Sequence, residues 1–408
     1  MKTVVAVLAT LDTKGAEAAY LREQLAELGS DALIVDIGVL GEPACRADIG
    51  RDEVARAGGR ELATLLHEPT REAATPVMAD GAAKLLGERV AAGQVHAVIG
   101  LGGLQGTALC TRVMRTMPYG FPKVMVSTVA SGDTSAYVDV MDITMMFSVA
   151  DLLGVNTFTR RLLGNAAGAA HGMAQVRVPL TKARGDKPLI GMSNLGVLTK
   201  GAQLALELFA ERGYEVLVFH AVGSGGRAME QMMRQGILGA VFDYAMGEIT
   251  DELFAGLRAG GKTRMTVAGE LGLPQVLCPG GVEHVGVLVP PNTVPDRWRD
   301  HLHVFHSPVV LAPRLNAAEM QQVAREIARR LATTRGSAVL MLPKNGTGRY
   351  AMPGGPLRDP AGDAAFFAEL RRALPRGIEV VERDLHAEEP AFVRECVDRL
   401  VALIESKK

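Results

Sequence analysis

The chain has 408 residues, a formal net charge of −1 and a hydrophobic content of 48%. At roughly 100–200 residues per domain, this length predicts two domains, and the apolar content is enough to build a sizeable core in each. The charge is close to zero and aromatic residues make up only 4% of the chain. This composition argues against the basic surface and stacking platforms of a nucleic-acid-binding protein, so we expect no nucleic-acid partner.

The cysteines and the N-terminal segment bear on the cellular compartment. The four cysteines stand far apart and form no CxxC pair: Cys45, Cys110, Cys278 and Cys396. This spacing favours neither a zinc module nor a disulfide framework, and reduced thiols are typical of the cytosol. The first apolar run ends at Asp12 and Lys14 and is too short for a signal peptide. Since no segment approaches the roughly 18 consecutive apolar residues of a membrane span, we expect a cytoplasmic protein without a membrane partner.

Apolar runs of strand length alternate with helical patterns along the whole chain. The predicted strands are 3–9, 32–38, 97–102, 123–128, 188–193, 215–220, 239–244, 274–279, 285–290, 337–342 and 378–382. The predicted helices are 14–28, 52–66, 76–92, 103–117, 200–212, 225–235, 317–332, 362–374 and 390–405. Short apolar strands separated by helices are typical of parallel sheets covered on both faces. The predicted fold class is therefore α/β, with two Rossmann-like doubly wound domains, mainly parallel sheets and a cleft between them.

The best candidate for a domain boundary is the charged segment 176–191, which carries two prolines and leads into a new strand. It predicts a nucleotide-binding α/β domain over 1–182 and a second α/β domain over 183–408. Loops at the carboxyl ends of parallel strands are where such folds bind ligands. The predicted cleft is therefore a plausible small-molecule site.

The stretch GLGGLQGT places Gly102, Gly103, Gly106 and Thr107 between a predicted strand and a predicted helix. Backbone N–H groups without Cβ obstruction, together with a helix N-terminus, form an anion site. The spacing lacks the lysine of a P-loop, and Gln105 stands where a dinucleotide fingerprint has its third glycine. We expect a phosphate or another anion here; the alternative is that the glycines only allow close strand–helix packing.

A segment rich in hydroxyl groups and acids, 127–148, follows the next predicted strand. Polar loops after a strand's carboxyl end commonly carry ligands in α/β proteins. The residues expected near a phosphate, a ribose, a sugar hydroxyl or magnesium are Ser127, Thr128, Ser131, Asp133, Asp139 and Asp142. The alternative is a polar surface loop held by Asx turns.

The segment TLDTKG, 10–15, follows the first predicted strand. Asp12 or Thr13 is expected to cap the helix that begins near Lys14. Asp12 and Lys14 are also candidates for the nucleotide site, the lysine by placing a positive charge beside a phosphate.

The second half repeats the anion-loop pattern. Gly223, Ser224, Gly225, Gly226 and Arg227 follow the predicted strand 215–220. The glycines offer backbone N–H groups, and the arginine suits a carboxylate or a phosphate. We expect an anion at this loop.

The remaining candidates for chemistry lie in the second half. The candidate catalytic residues are His220, Arg227, Glu270, His284, which follows Glu283, and His306. The spacing of His301, His303 and His306 suits neither one helical face nor a compact zinc site, so we predict no metal. We interpret Cys278 as a buried apolar thiol rather than a nucleophile. The glycine-rich segment 344–356 is expected to close over the cleft.

Together these stretches resemble the family of the tomato mosaic virus resistance protein, in its ATP-binding N-terminal region. The resemblance spans nearly the whole chain and is carried by ATLDTKG, GLGGLQGTAL, PKVMVSTVASGDTSAYVDVMDITMMFSVADLLGVN, GYEVLVFHAVGSGGRAME and AMPGGP. It implies two Rossmann-like subdomains, with ATP and magnesium bound by the first. The positions that match its nucleotide motifs are Gly102, Gly103, Gly106, Thr107, Ser127, Thr128 and the acids that follow them.

We therefore expect a cytoplasmic ATP-binding protein, homodimeric or of higher order, that also takes a small-molecule substrate if it is an enzyme. One possible reaction is a nucleotide-dependent step on a small organic acid. The alternatives are an ATP-independent hydrolase or lyase that uses the second-domain residues, and a non-catalytic binding or scaffold protein. The residues alone leave these alternatives open.

Overall fold

The computed structural model describes residues 2–67, 70–180 and 186–406. They form two compact units, Met1–Val178 and Pro179–Lys408. The domain boundary predicted between 182 and 183 lies outside the described residues. Within the described residues, no helix combines the length and hydrophobicity that crossing a membrane would require.

The first unit is built on one parallel sheet. Its elements are β1 (Val4–Ala9), α1 (Leu11–Glu27), β2 (Asp31–Asp36), α2 (Arg51–Ala57), α3 (Leu62–His67), α4 (Arg71–Ala91), β3 (Ala97–Gly102), α5 (Leu104–Met114), β4 (Lys123–Ser127), α6 (Ser135–Val138), β5 (Thr144–Phe147) and α7 (Thr157–Ala174). The strand order is β2-β1-β3-β4-β5, with every pair parallel. The winding direction therefore reverses between β1 and β3, and open α/β sheets bind ligands outside the carboxyl ends of the strands at such a reversal.

The second unit repeats this winding on a larger sheet. Its elements are β6 (Ile190–Asn194), a 3₁₀ turn (Gly196–Leu198), α8 (Thr199–Glu211), β7 (Val216–His220), α9 (Ser224–Arg234), β8 (Ala240–Ala245), α10 (Gly247–Phe254), α11 (Val267–Glu270), β9 (Gln275–Gly280), β10 (Val287–Leu288), a second 3₁₀ turn (Asp296–Trp298), β11 (His303–Ser307), β12 (Val310–Pro313), α12 (Ala317–Leu331), β13 (Ala338–Pro343), α13 (Pro360–Ala373), β14 (Glu379–Arg383) and α14 (Pro390–Glu405). The large sheet is parallel, in the order β14-β13-β9-β8-β6-β7. Its reversal lies between β6 and β8. A small antiparallel sheet, β10-β12-β11, accompanies it.

Strand β1 shows why the apolar runs form this fold. Val5, Val7 and Ala9 join a cluster with α1 and α7, whereas Ala6 and Leu8 join a cluster with α2, α4 and α5 on the other face. A strand that is covered on both faces needs apolar side chains at every position rather than at alternate ones. The predicted α/β class with doubly wound, mainly parallel sheets is confirmed.

Several predicted elements differ from the structure. The helix predicted over 52–66 is divided into α2 and α3, and at Gly58 an added Cβ would lie 2.0 Å from the carbonyl oxygen of Val77 on α4. The strand predicted over 285–290 is reduced to β10 and belongs to the antiparallel sheet. The strands β5, β11 and β12 and the helices α6, α7, α10 and α11 are absent from the prediction.

Candidate functional site

The first unit has a cavity of about 260 Å³ at the carboxyl edge of its sheet, which we call the switch-point cavity. Its walls come from the segments that follow β1 and β2, from the start of α5 and from one face of α4. The polar groups in its lining are Thr10, Asp12, Thr13, Gly38, Thr70, Thr75, Gln105 and Gly106, and the apolar ones include Ile37, Val39, Leu40, Met78 and Leu109. The cavity lies beside the reversal between β1 and β3, where this strand order places ligands.

Helix α5 begins at this cavity. Its N-cap is Gly103, and among the described residues no side chain caps its first turn. The first N–H groups of a helix have no partner within the helix, and the helix dipole favours an anion beside them. Gln105 and Gly106 also line the cavity, so the start of α5, without a side-chain cap, lies at the wall of the cavity at the predicted position.

Helix α1 also begins at the cavity, but the chain supplies part of its cap. Its N-cap is Thr10, not Asp12 or Thr13, so the predicted cap is wrong. The N–H of Leu11 donates to Asp36 Oδ1 at 3.2 Å, and the N–H of Gly38 donates to the same oxygen at 2.9 Å. Burial raises the pKa of Asp36, and these two hydrogen bonds oppose the rise.

Asp12 and Lys14 have different surroundings. Asp12 is in the lining of the switch-point cavity. Lys14 is buried at a kink inside α1, lies outside that lining, and its Nζ donates to the carbonyl oxygen of Thr13 at 3.5 Å. The cavity lining therefore contains the predicted acid but not the predicted lysine.

The remaining groups of the glycine loop have structural contacts. An added Cβ at Gly102 would lie 2.5 Å from Gly106 Cα, so this glycine allows β3 and α5 to approach each other. The hydroxyl groups of Thr107 and Ser127 are fully buried and lie 2.7 Å apart. They connect the start of α5 to the end of β4 rather than facing a ligand. Gly103 differs, because among the described residues the one atom beyond the local backbone within 4 Å of an added Cβ would be Thr128 Oγ1, at 3.6 Å.

The acids of segment 127–148 divide between the two edges of the sheet. Ser131 and Asp133 are exposed on the loop after β4. The N–H of Ser135 donates to Asp133 Oδ1 at 2.9 Å, which lowers the pKa of that carboxyl group. This is the Asx turn of the alternative interpretation.

Asp142 lies at the opposite edge. Its carboxylate accepts from Lys123 Nζ at 2.8 Å and from the N–H of Gly120 at 2.8 Å, beside the amino ends of β4 and β5. Since β4 and β5 are parallel, the chain must cross to the amino edge before β5 begins, and the exposed Asp139 lies on this crossover. The prediction of Asp142 as a ligand-binding residue is therefore wrong.

In the second unit, the 223–227 loop binds a carboxylate of the chain itself, that of Glu248. The N–H groups of Gly223 and Gly226 donate to Oε1 of Glu248 at 2.6 and 3.1 Å. Glu248 is fully buried, and Arg264 Nε donates to its other oxygen at 2.7 Å. An added Cβ at Gly226 would lie 2.1 Å from Glu248 Oε2. The predicted external anion at this loop is thus corrected to an internal carboxylate.

The other residues of this loop have local roles. Gly223 has a φ of +91°, a conformation that favours glycine. Helix α9 begins at Ser224, and an added Cβ at Gly225 would lie 1.8 Å from the carbonyl oxygen of His220. The Nε of Arg227 lies 3.4 Å from the carbonyl oxygen of Gly223.

A second cavity, of about 210 Å³, lies at the carboxyl edge of the large sheet, and we call it the histidine cavity. Three predicted catalytic residues line it: His220, His284 and His306. Arg258 and Tyr350 complete its polar lining. Its apolar lining is Leu195, Val197, Val222, Leu257, Val310 and Ala312.

Arg258 and His284 form the inner polar wall of the histidine cavity. Arg258 binds Asp251 through two parallel contacts, Nε–Oδ2 at 2.9 Å and Nη2–Oδ1 at 2.8 Å. Its Nη1 lies 3.2 Å from His284 Nε2, while His284 Nδ1 lies 3.0 Å from Glu283 Oε1. The hydroxyl of Thr347 donates to the other oxygen of Glu283 at 2.7 Å. These contacts form one hydrogen-bonded chain from Asp251 to Thr347.

The protonation of this chain follows from its partners. Burial alone would raise the pKa of Glu283, but its contacts with His284 and Thr347 outweigh burial and hold the pKa at about 2. The ionised Glu283 can only accept a hydrogen bond. His284 therefore carries its proton on Nδ1, and its Nε2 accepts from Arg258.

The outer part of the cavity contains a second polar pair. Tyr350 Oη lies 3.0 Å from His306 Nδ1, and burial raises the pKa of the tyrosine. The phenol therefore keeps its proton, and it can either donate to the imidazole or accept from it. Tyr350 belongs to the predicted glycine-rich segment 344–356, so part of this segment does lie against a cavity of its own unit.

Glu270 and Arg227 are not part of this site. Glu270 is exposed at the end of α11, which precedes the amino end of β9. His220 is the last residue of β7 and His284 follows the carboxyl end of β9, so Glu270 lies at the opposite edge of the sheet. Arg227 is outside the cavity lining.

The other reactive side chains of this half are held by local contacts. His301 Nε2 lies 3.1 Å from Glu319 Oε2, and His303 Nδ1 lies 2.9 Å from the carbonyl oxygen of His301. Among the described residues, no group of three or more acids, histidines or cysteines is arranged to hold a metal ion. Cys278 is buried, and burial raises the pKa of its thiol.

Three functional positions lack a signal in the sequence. Glu248 and Arg258 lie in GEITDELFAGLRAG, where no spacing connects them to Gly223 or to His284. Tyr350 is a single aromatic residue in a glycine-rich loop. Their roles arise from packing between elements that are distant in the chain.

The fold and the cavities define a protein of two doubly wound α/β units, each with a ligand-type cavity at the carboxyl edge of its sheet. The chain belongs to the uncharacterised protein family UPF0261. The model of the family's N-terminal domain matches residues 3–179, and the model of its C-terminal domain matches residues 187–404.

Relatives match over most of the chain. A UPF0261 protein of Clostridium tetani is 35% identical, covering 99% of this chain and 100% of the relative. One from Mesorhizobium japonicum is 36% identical, covering 95% of this chain and 96% of the relative. The ToMV resistance protein Tm-1(GCR237) of Solanum lycopersicum is 32% identical over 75% of this chain and 41% of its own length.

Solved structures are similar only at a low level. A putative UDP-N-acetylglucosamine 2-epimerase from Listeria monocytogenes has a TM-score of 0.23 at 11% identity, covering 68% of this chain and 79% of the other. MurG of Acinetobacter baumannii has a TM-score of 0.23 at 13% identity, covering 98% and 100%. Similarity at this level carries no argument about the ligand.

Proposed function

We propose that the first unit binds a nucleotide at the switch-point cavity, with its phosphates at the start of α5. The observation that carries the proposal is the glycine N-cap of α5, which leaves the first turn without a side-chain cap at the reversal of the sheet. Phosphate groups bind at such helix starts because several N–H groups and the helix dipole act on the same anion.

ATP with magnesium is the ligand that the family resemblance implies, and the cavity lining is compatible with it. Ile37, Met78 and Leu109 provide apolar surface for a base or a ribose. Asp12 is the acid of the lining, and a carboxylate beside phosphates requires a cation such as magnesium or a sugar hydroxyl. The volume of about 260 Å³ is below the roughly 300–1,000 Å³ of typical ligand pockets, so we expect part of the nucleotide to lie outside the cavity.

Calorimetric titration of the full chain with ATP and magnesium tests the proposal. We expect saturable binding, and Gly103→Val to weaken it at least about tenfold, the loss expected when hydrogen bonds to a charged group are blocked. Gly103 has a φ of −78° and room for a Cβ, so the fold should tolerate the change.

Gly50→Val is the matched control. Gly50 is also a glycine N-cap with extended backbone and an unobstructed Cβ direction, but it begins α2, which contributes no residue to the cavity lining, whereas α5 contributes Gln105, Gly106 and Leu109. Absence of ATP binding in the natural chain, or equal binding by the two variants, would overturn the proposal. Phosphate release then separates the remaining alternatives: an enzyme turns ATP over, whereas a scaffold protein binds it unchanged.

A further inference from the structure

The histidine cavity brings together side chains from five separate parts of the second unit. His220 ends β7, Arg258 follows α10, His284 follows β9, His306 lies on β11 and Tyr350 follows β13. In the described part of the chain, no aspartate or glutamate is in this lining. We propose that the cavity is a second ligand site that binds a small organic carboxylate, independently of the nucleotide proposed for the first unit.

Arg258 is the anchor for the carboxylate. Its side chain is almost completely buried, and its orientation is fixed by the paired contacts to Asp251. Nη2 also donates to the carbonyl oxygen of His284 at 2.8 Å, and Nη1 donates to the Nε2 of that histidine. A guanidinium has five N–H groups, and these contacts, within the described residues, use four of them. The fifth belongs to Nη1, and a buried donor without a partner favours an acceptor in the cavity.

The pair at the outer part of the cavity supplies a further donor. Tyr350 Oη lies 3.0 Å from His306 Nδ1, and when the phenol donates to that nitrogen the imidazole carries its proton on Nε2. This tautomer makes His306 a hydrogen-bond donor rather than a base at that nitrogen. A carboxylate has acceptor capacity on two oxygens, which suits one donor on each side of the cavity.

The chemistry of the lining excludes a metal ion at His284. Both ring nitrogens of His284 are used, since Nδ1 donates to Glu283 and Nε2 accepts from Arg258. A cation at Nε2 would also stand against the guanidinium. The volume of about 210 Å³ and the walls formed by Val222, Leu257 and Val310 favour a small molecule with an apolar body.

The test uses the full chain without nucleotide and three probes: acetate, butyrate and benzoate. Binding is followed by titration of the histidine ring signals in NMR spectra, and the corresponding amides serve as uncharged probes. We expect at least one carboxylate to saturate and to shift His284 and His306. We expect its amide to bind at least about tenfold more weakly, because it lacks the charge that strengthens a hydrogen bond to arginine.

Substitutions in the lining test whether the carboxylate binds in the histidine cavity. His306→Gln and Tyr350→Phe change groups near its opening and should each weaken binding several-fold, and Arg258→Lys should abolish it. His303→Gln is the matched control, because His303 lies exposed on the same strand but is bonded to the carbonyl oxygen of His301 and is outside the lining. If Arg258→Lys fails to fold, the other two variants still decide.

Any of three results would overturn the proposal. None of the three carboxylates reaches saturable binding, the amides bind as tightly as the carboxylates, or His303→Gln and His306→Gln weaken carboxylate binding equally. Gly103→Val, the variant designed to weaken nucleotide binding, is also titrated with the carboxylate, so that the two proposals are tested separately. We expect this variant to bind the carboxylate normally, and a parallel loss of both ligands would contradict independent sites.

Discussion

Glu230 of the second unit is buried in the electrostatic field of Arg264, which forms ion pairs with two other acids. Arg264 is almost completely buried and binds both Asp243, at 2.6 and 2.7 Å, and Glu248, at 2.7 Å. Burial raises the pKa of Glu230 to about 6 from 4.5, against the opposing charge of Arg264. The folded protein therefore holds this proton more tightly than the unfolded chain does.

The sign of the resulting pH dependence follows from this shift. The stabilisation is complete below pH 4.5 and is lost as the pH rises through about 6. We expect the natural chain to lose about 2 kcal/mol of unfolding free energy relative to Glu230→Gln across this range, at 1.36 kcal/mol per pKa unit. Urea unfolding of both proteins from pH 4 to pH 8 measures the difference. A difference that stays constant with pH would contradict the raised pKa.

The close approach of β3 and α5 depends on Gly102 but not on the adjacent Gly103. At Gly102 an added Cβ would lie 2.5 Å from Gly106 Cα and 2.9 Å from Thr107 N, whereas at Gly103 the nearest atom beyond the local backbone, in the part of the chain that the structure describes, would be Thr128 Oγ1 at 3.6 Å. We expect Gly102→Ala to lower the unfolding free energy by about 1–3 kcal/mol, since backbone must move.

Gly103→Ala should lower the unfolding free energy by no more than about 1 kcal/mol, because a Cβ has room there and only the poorer N-cap preference of alanine counts against it. Urea unfolding at one pH compares both variants with the natural chain. Equal losses would show that the two elements adjust to a side chain at either position.

The apolar runs predict the central strands well, and the run 97–102 coincides with β3. Helix α7 is missed because Gly164, Gly168 and Gly172 interrupt its pattern, each lowering helix propensity by about 1 kcal/mol relative to alanine. Strand β5 is missed because it has four residues and no fully buried position. Local sequence thus predicts elements that are buried on both faces better than elements at an edge.

The sequence predicts the candidate sites only in part. Glycine spacing predicts an anion-binding turn at Gly103 and at Gly223. It does not predict which anion binds, because Glu248 reaches Gly223 only through the packing of α10 near the start of α9. Histidines at strand ends predict the histidine cavity, whereas Arg258 enters it from a segment without a recognisable pattern.

At the scale of the whole molecule, each unit has its own sheet and its own hydrophobic clusters. A unit the size of Met1–Val178 is within the roughly 50–250 residues of an independently folding domain. We expect residues 1–180, expressed alone, to unfold cooperatively in urea and to bind ATP as the full chain does. A fragment without a cooperative transition would show that the first unit needs the rest of the chain. The homodimer and the cytoplasmic location stay predictions.

The carboxylate of Glu248 is part of the polypeptide, so the turn at Gly223 and Gly226 is saturated at every solute concentration. Under the proposed function, the turn at Gly103 takes its anion from the cell instead. A ligand at 100 times its dissociation constant adds about 2.7 kcal/mol to the stability of the unit that binds it. The lifetime of the first unit against unfolding and proteolysis would then follow the energy charge of the cell, while that of the second unit would not.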